Sequence, residues 1–320
     1  MSSHSHRYSI VPGSALLLGL LCFGGAPVQA LEPILPLPES IPYNKPKAEL
    51  GKQLFFDQRL SADGQVSCAS CHDPDHGGAE PRATSTGVFK KQGNVNAPTV
   101  FNSYFNFRQF WNGRARDLQE QAEGPLHNPL EMDMTPVQVV QRLSADPQYR
   151  RRFQVVYGPG PIRFDQVTEA IAEFEKALIT PNSRLDRYLR GELVLNPDEM
   201  AGYRLFKRLG CVTCHNGINI GGNSYQYFGA VIPAQIDSQG SDRYALTGDP
   251  FDKNRYKVPS LRNIALTAPY LHDGSGEDLL SLVNIMAYHN LGFTLQEEES
   301  RKILAFLQTL TGRRPEILRP

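Results

Sequence analysis

Two five-residue stretches, "CASCH" at 68–72 and "CVTCH" at 211–215, decide how this chain folds. Each sets two thiols three positions apart and puts an imidazole on the next residue. The chain has five cysteines. Cys22 lies in an apolar run near the start, and the two stretches use the other four, Cys68, Cys71, Cys211 and Cys214. One stretch alone would fit a redox dithiol or half a zinc site. A zinc site built from all four cysteines would leave His72 and His215 unexplained. C-x-x-C-H is the attachment signature of a c-type haem. The thiols bond two vinyl groups on one edge of the macrocycle, and the following His72 or His215 reaches the iron. Two covalently bound haem c groups are therefore expected.

The first thirty residues read as a secretory leader. "MSSHSHRY" is the basic start, "ALLLGLLCFGG" an apolar run too short for a stable membrane span, and "VQA" at 28–30 a small-residue cleavage site. Cleavage near Ala30 removes Cys22 and leaves an exported, periplasmic chain with no stable membrane anchor. Lysine plus arginine and aspartate plus glutamate balance at 33 each, so there is no basic face for nucleic acid and no acidic tail. With 27 glycines and 24 prolines the chain is loop-rich, as suits a fold that wraps a large group.

The flanks of the two stretches form a weak internal repeat. "ELGKQLFFDQRLSADGQVSCASCH" and "EMAGYRLFKRLGCVTCH" both run from an acidic residue through glycine and Leu-Phe to the attachment site. A duplicated small cytochrome unit is the natural reading. The remaining pattern is helical. "FDQVTEAIAEFEKALI" places Val167, Ile171, Phe174 and Leu178 on one face. "TLQEEESRKILAFLQTLTG" carries a Thr294/Glu297 capping box and a Gly312 stop. No sustained strand alternation is visible. The expected class is all-α: two cytochrome c-like domains, 31–180 and 181–320, each wrapped around one covalently attached haem.

Between the attachment sites lies "QFWNGRARDLQEQAEGPLHNPLEM" (109–132), and after the second comes "KVPSLRNIALTAPYLHDG" (257–274). With both C-x-x-C-H sites these blocks resemble the bacterial di-haem cytochrome c peroxidases, of which the tryptophylquinone-forming MauG is a divergent member. The resemblance runs from about residue 40 to 312. It implies a peroxide-reacting haem in the first domain and an electron-transfer haem in the second. It makes Trp111 the tryptophan between the haems, Gln121 the pocket amide and Glu131 the pocket acid. A carboxylate there takes the first proton of hydrogen peroxide and returns it to the departing oxygen. An amide holds the peroxide in line. Read without the resemblance, Trp111 is an interface aromatic, Gln121 a solvated helix position and Glu131 a loop charge.

The same resemblance places a calcium ion on Asn96, Thr267 and Pro269, oxygen ligands of the kind calcium takes; otherwise "NAP" and "TAP" are turn signals. It sets Met286, seventeen residues past Pro269, as sixth ligand of the second haem, with Tyr288 and His289 as rivals. A Met/His pair raises haem potential and closes the site. MauG has tyrosine there. His272 and His127 read as structural histidines, and His76 lies on the proximal side of the first haem. Homodimers are common in the family.

Many members close the first haem, when oxidised, with a histidine on the loop after the first motif. Here that loop is "TSTGVFKKQGNVNAP" (84–98), and Val88 stands where the histidine would be. The first haem is therefore expected to be open without reductive activation. Three functions remain. The chain reduces hydrogen peroxide with electrons from a small periplasmic cytochrome c or cupredoxin. It draws oxidising power through Trp111 to a side chain of a partner protein. Or it is a non-catalytic di-haem carrier, against which Gln121 and Glu131 argue.

Overall fold

A computed structural model describes residues 32–319; the expected leader, with Cys22, lies outside them. The described chain is mostly helical. Its helices are α1 (Lys45–Phe55), α2 (Leu118–His127), α3 (Pro136–Ala145), α4 (Pro147–Tyr157), α5 (Phe164–Lys176), α6 (Arg184–Leu189), α7 (Pro197–Arg208), α8 (Tyr244–Thr247), α9 (Leu279–Met286) and α10 (Glu297–Gln308). A small antiparallel ribbon of β1 (Tyr225–Tyr227) and β2 (Arg255–Lys257) pairs Tyr225 with Lys257. Three-residue strands are too short to show alternation in sequence, which is why this ribbon was not foreseen.

Local chemistry sets the helix starts. The Asn44 side chain accepts from Lys47 N ahead of α1. Asn196 and Glu199 close a reciprocal capping box on α7, with Pro197 as first residue. The last helix departs from expectation. It begins at Glu297, not after a Thr294 cap, and Glu299 accepts from Gln296 N. Leu295 is buried in the core, so the chain stays extended until that side chain is delivered. Nor does Gly312 end α10, which stops at Gln308. A Cβ on Gly312 would lie 1.8 Å from the Thr180 carbonyl oxygen; its glycine permits a close chain crossing.

Two hydrophobic cores form. The first gathers Leu54 and Phe55 of α1, Leu126 of α2 and Val167, Ala170, Ile171 and Phe174 of α5, with Leu178 just past the helix end. The second gathers Tyr203, Leu205 and Phe206 of α7, Leu282 and Val283 of α9, and Ile303, Phe306 and Leu307 of α10. The ends of the described chain cross over: Ile34 packs in the second core and Ile317 in the first.

The internal repeat has a physical basis in these cores. On Gly51 of α1 a Cβ would meet Ala170 O at 1.8 Å and Phe174 Cβ at 2.9 Å. On Gly202 of α7 it would meet Lys302 O at 1.8 Å and Phe306 Cβ at 2.9 Å. Three and four residues on, Leu54-Phe55 and Leu205-Phe206 fill the space beside each crossing; Phe55 meets Phe174 at 5.1 Å and Phe206 meets Phe306 at 5.0 Å between ring centroids. Farther along, Asn102 and Asn263 both take a left-handed conformation, and both donate to the Thr180 hydroxyl at 2.7 and 2.9 Å. The same packing unit is thus built twice, and the copies meet at Thr180.

Gly51→Ala and Gly202→Ala test this construction by sign. Helix propensity alone would stabilise either variant by about 1 kcal/mol. Overlap with a backbone carbonyl should instead destabilise by about 1–3 kcal/mol or more. A lowered denaturation midpoint in both is expected; a raised one would show that the helices separate freely.

Candidate functional site

Both C-x-x-C-H stretches form a tight 3-10 turn. In the first, His72 N donates to Cys68 O at 2.9 Å; in the second, His215 N donates to Cys211 O at 3.0 Å. All four cysteines carry free thiols, and burial raises the pKa of Cys68, Cys71 and Cys211. His215 turns Nδ1 to Ile220 O at 3.3 Å, and burial pushes its pKa down to about 4. His72 is lowered too, again by burial. Its Nδ1 faces the Pro98 and Gly78 carbonyls without closing a regular hydrogen bond and is left unpaired. Neutral imidazoles with Nδ1 toward backbone carbonyls keep Nε2 for a metal. Gly221 makes room for this: a Cβ there would lie 2.2 Å from Pro259 O and 3.4 Å from His215 Nδ1.

Cys211, Cys214 and His215 open into a cavity of about 310 Å³. Its walls are mainly apolar, including Phe206, Leu282, Val283 and Leu307, and Met286 lines it as well. Met286 ends α9 where the chain widens into a π turn, Ala287–Leu291, a distortion frequent at functional sites. Asn290, which the sequence did not single out, donates from Nδ2 to Met286 Sδ at 3.3 Å while its Oδ1 accepts from Gly229 N at 2.7 Å. Neither rival faces the cavity. His289 bonds Ile232 O through Nδ1 at 2.9 Å, and Tyr288 is exposed. Free thiols, a carbonyl-oriented imidazole and an apolar chamber fit a covalently held haem.

Trp111 is pinned on several sides. Its Nε1 donates to Asn96 O at 2.9 Å, and its carbonyl accepts from Lys257 N at 2.8 Å. Its ring meets His272 edge-on, 6.4 Å between centroids. His272 in turn stacks on Tyr256 at 4.9 Å and accepts from Asn96 N through its carbonyl at 2.8 Å. Trp111 and His272 occupy matching places in the repeat. Each follows a residue with positive φ (Phe110 +67°, Leu271 +70°) and precedes, two on, a glycine with positive φ (Gly113 +71°, Gly274 +68°). Asn96, Thr267 and Pro269 line the same cavity as Met286. Asn96 Nδ2 donates to Arg82 O at 2.8 Å, which turns Oδ1 away, and the Thr267 and Pro269 carbonyls accept no hydrogen bond among the described residues. His76 pairs with Asp73 at 2.7 Å, and His127 stacks on Phe164.

Gln121 sits on α2, started by an Asp117 cap, and Glu131 follows shortly after that helix ends. Burial raises the Glu131 pKa above the ordinary carboxylate range; Asn128, donating from Nδ2 to Oε1 at 2.5 Å, and the charge of Arg114 hold the rise back. Arg114, a further residue missed in the sequence, lies 3.4 Å over the Phe110 ring. The loop 84–98 is a small hairpin, with Gly87 N to Lys91 O at 2.9 Å and Gly93 N to Ser85 O at 2.8 Å. It is clamped on Glu131. Val88, fully buried, donates from its N–H to Glu131 O at 2.8 Å, and a Cβ on Gly87 would lie 2.0 Å from Leu130 O.

Two attachment turns in a duplicated helical fold, each with a buried imidazole, define a c-type cytochrome with two haem sites. The family described as di-haem cytochrome c peroxidase matches residues 45–193. The cytochrome c551 peroxidase of Nitrosomonas europaea is 46% identical, over 96% of this chain and 92% of that protein. The methylamine utilization protein MauG of Methylorubrum extorquens is 32% identical, over 86% and 81%. A solved structure of a MauG-like protein associated with microbial copper homeostasis superposes with a TM-score of 0.77 at 29% identity, covering 89% of this chain and 95% of that one. The chain belongs to the di-haem cytochrome c peroxidase family, a class of haem-dependent oxidoreductases.

Cys68→Ala and Cys211→Ala should each reduce the pyridine-haemochrome content of the purified protein from two covalent haems to one. Loss of both from a single substitution, with the fold retained, would contradict independent attachment.

Proposed function

We propose that this chain is an exported, periplasmic peroxidase that reduces hydrogen peroxide to water. Two electrons arrive singly from a small cytochrome c or cupredoxin, and two protons complete two waters. The observation that carries the reading is Met286, whose thioether lines the His215 cavity while Tyr288 and His289 turn elsewhere. A neutral thioether and a histidine, as the residues that would hold the haem, suit a site that takes in electrons. The relative at 46% identity carries the name of that activity. In this reading residues 31–180 and 181–320 are cytochrome c-like domains, each wrapped around one haem. The leader is cleaved near Ala30, and no helix among the described residues is long and apolar enough to cross a membrane.

Bound haem supplies iron that exchanges single electrons at both sites and, at the first, the coordination position for peroxide. The protein does the rest. Glu131 takes a proton from the near oxygen of peroxide and delivers it to the departing one. Asn128 orients that carboxyl from 2.5 Å, and Gln121 aligns the peroxide by hydrogen bonds. Trp111, tied to both halves through Asn96 and Lys257, stands between the sites as the relay. A calcium ion on Asn96, Thr267 and Pro269 would stiffen this seam. Val88, buried in the core and carrying no ligating atom, leaves the first site open in the oxidised enzyme.

Steady-state turnover with reduced cytochrome c or cupredoxin is the deciding measurement. Rapid donor oxidation by enzyme never pre-reduced is expected, and the oxidised enzyme should bind cyanide. A first haem that is six-coordinate and inert until reduced overturns the open site. Negligible donor turnover favours oxidation of a partner protein's side chain, and no reaction with peroxide at all leaves a plain carrier.

Glu131 must be ionised to accept the proton, and its folded pKa is raised. The peroxide reaction should therefore fall with acid through a pKa above the free-glutamate value of about 4.3. Glu131→Gln should lose about 10²–10⁴-fold in that step and lose the acid limb with it. Gly87→Ala, which retains the Glu131 carboxyl itself, should displace the Leu130–Glu131 backbone and slow the same step by up to about 10²-fold. Stopped-flow rates at several pH values check both.

A further inference from the structure

Lys257 is an anomaly in the cavity. It is 7% exposed, yet its ammonium has no hydrogen bond, ion pair or ring contact among the described residues. Burial alone pushes its pKa down to about 8. The cavity it lines contains no aspartate, glutamate or arginine. Its titratable neighbours there are Tyr227, Tyr256, Tyr270, His215, His272 and the two thiols. A largely buried lysine with no anion at hand is strongly disfavoured, and proteins rarely keep one unless something neutralises it. The Tyr256 hydroxyl, of a residue lining the same cavity, is buried and closes no regular hydrogen bond.

The repeat sharpens the anomaly. Asn96 and Lys257 are matching residues: Asn96 N donates to His272 O and Lys257 N donates to Trp111 O, both at 2.8 Å. Each stands two residues before a proline, Pro98 or Pro259, whose carbonyl faces the site histidine of its own half. At one position the chain presents an amide oxygen, suited to a cation. At its counterpart the chain presents the cation itself.

We infer that Lys257 is the charge partner of a haem propionate at the Cys211–His215 site. The inference rests on the haem reading above. A haem c attached by its vinyl edge keeps two carboxylates on the opposite edge, and those are the anions an acid-free cavity lacks. Pairing one with Lys257 satisfies both charges in a dry chamber, where the interaction is stronger than at a surface. It also places a fixed positive charge beside the second haem, which favours its reduced form. Lys257 is a positioning residue: its N–H is bonded to the Trp111 carbonyl, its side chain would hold one propionate and bias the potential, and it touches no reacting atom of peroxide.

Spectropotentiometric titration of the holoenzyme tests this. Lys257→Met, with two covalent haems retained, should lower the second-haem potential. It should also add a pH dependence in the near-neutral range, because a propionate without its cation protonates more easily. Lys257→Arg should keep the wild-type potential and its flat pH profile. Lys257→Met with unchanged potential and pH profile overturns the inference while leaving the haem reading intact; wild-type protein without haem at Cys211 and Cys214 sinks both. Should Lys257→Met not assemble with two haems, infrared redox-difference spectra of the wild-type holoenzyme decide. Propionates that stay ionised through the near-neutral range support the pairing. A protonated-carboxyl band for the second haem in that range overturns it.

Discussion

Two helix pairs in this protein cross at a distance only glycine allows, and the rest of the architecture follows from those crossings. With Gly51 against the Ala170 carbonyl and Gly202 against that of Lys302, α1 and α7 cannot shift along their partners α5 and α10 without a backbone clash. Leu54-Phe55 and Leu205-Phe206 then seal each crossing. The chain leaves each helix pair in a fixed direction and turns through Cys68–His72 or Cys211–His215. The same packing thus fixes where the thiols and imidazoles stand relative to each helix pair.

Duplication explains the seam, and divergence explains the chemistry. Asn102 and Asn263 share Thr180, Trp111 meets His272, and each of the latter carries a backbone bond to the other half. A relay placed there couples both sites with no element dedicated to holding it. The halves differ in what they insert before the second helix of each crossing pair. Between Trp111 and α5 the first half carries α2 to α4, with Gln121 and Glu131. Between His272 and α10 the second carries α9 and its π turn, with Met286. In the proposed reading one slot thus holds an amide and an acid for peroxide, and the other a thioether that closes the site.

Much of this was legible in the sequence because covalent and packing constraints leave local marks. C-x-x-C-H is spelled out in five residues, and the glycine before Leu-Phe marks each crossing. What the sequence hid depends on contacts between distant segments. Thr294 looks like a cap, but the burial of Leu295 delays the helix to Glu297. The loop 84–98 reads as bland, and only the fold shows Val88 N–H bonded to the Glu131 carbonyl, so that the position without a histidine and the candidate acid share one clamp. His272 looks like any structural histidine until its place opposite Trp111 is seen. Lys257 carries no mark in the sequence that would set it apart from other lysines, which almost always lie at the surface. Arg114 and Asn290, one acting on Glu131 through space and the other on Met286 through a hydrogen bond, have no motif at all.

In the proposed reading the direction of electron flow turns on the second site, where two residues push the same way. As an iron ligand Met286 would offer an uncharged, soft sulfur, which favours reduced iron over oxidised. Lys257, on the inference drawn above, adds a positive charge close to the same macrocycle, which penalises every further positive charge placed on it. A neutral thioether and a largely buried lysine at this site would both oppose holding oxidising equivalents there. In the proposed reading, electrons enter at the His215 site from outside and pass through Trp111 toward Glu131. The same fold thereby favours reducing peroxide over oxidising another protein.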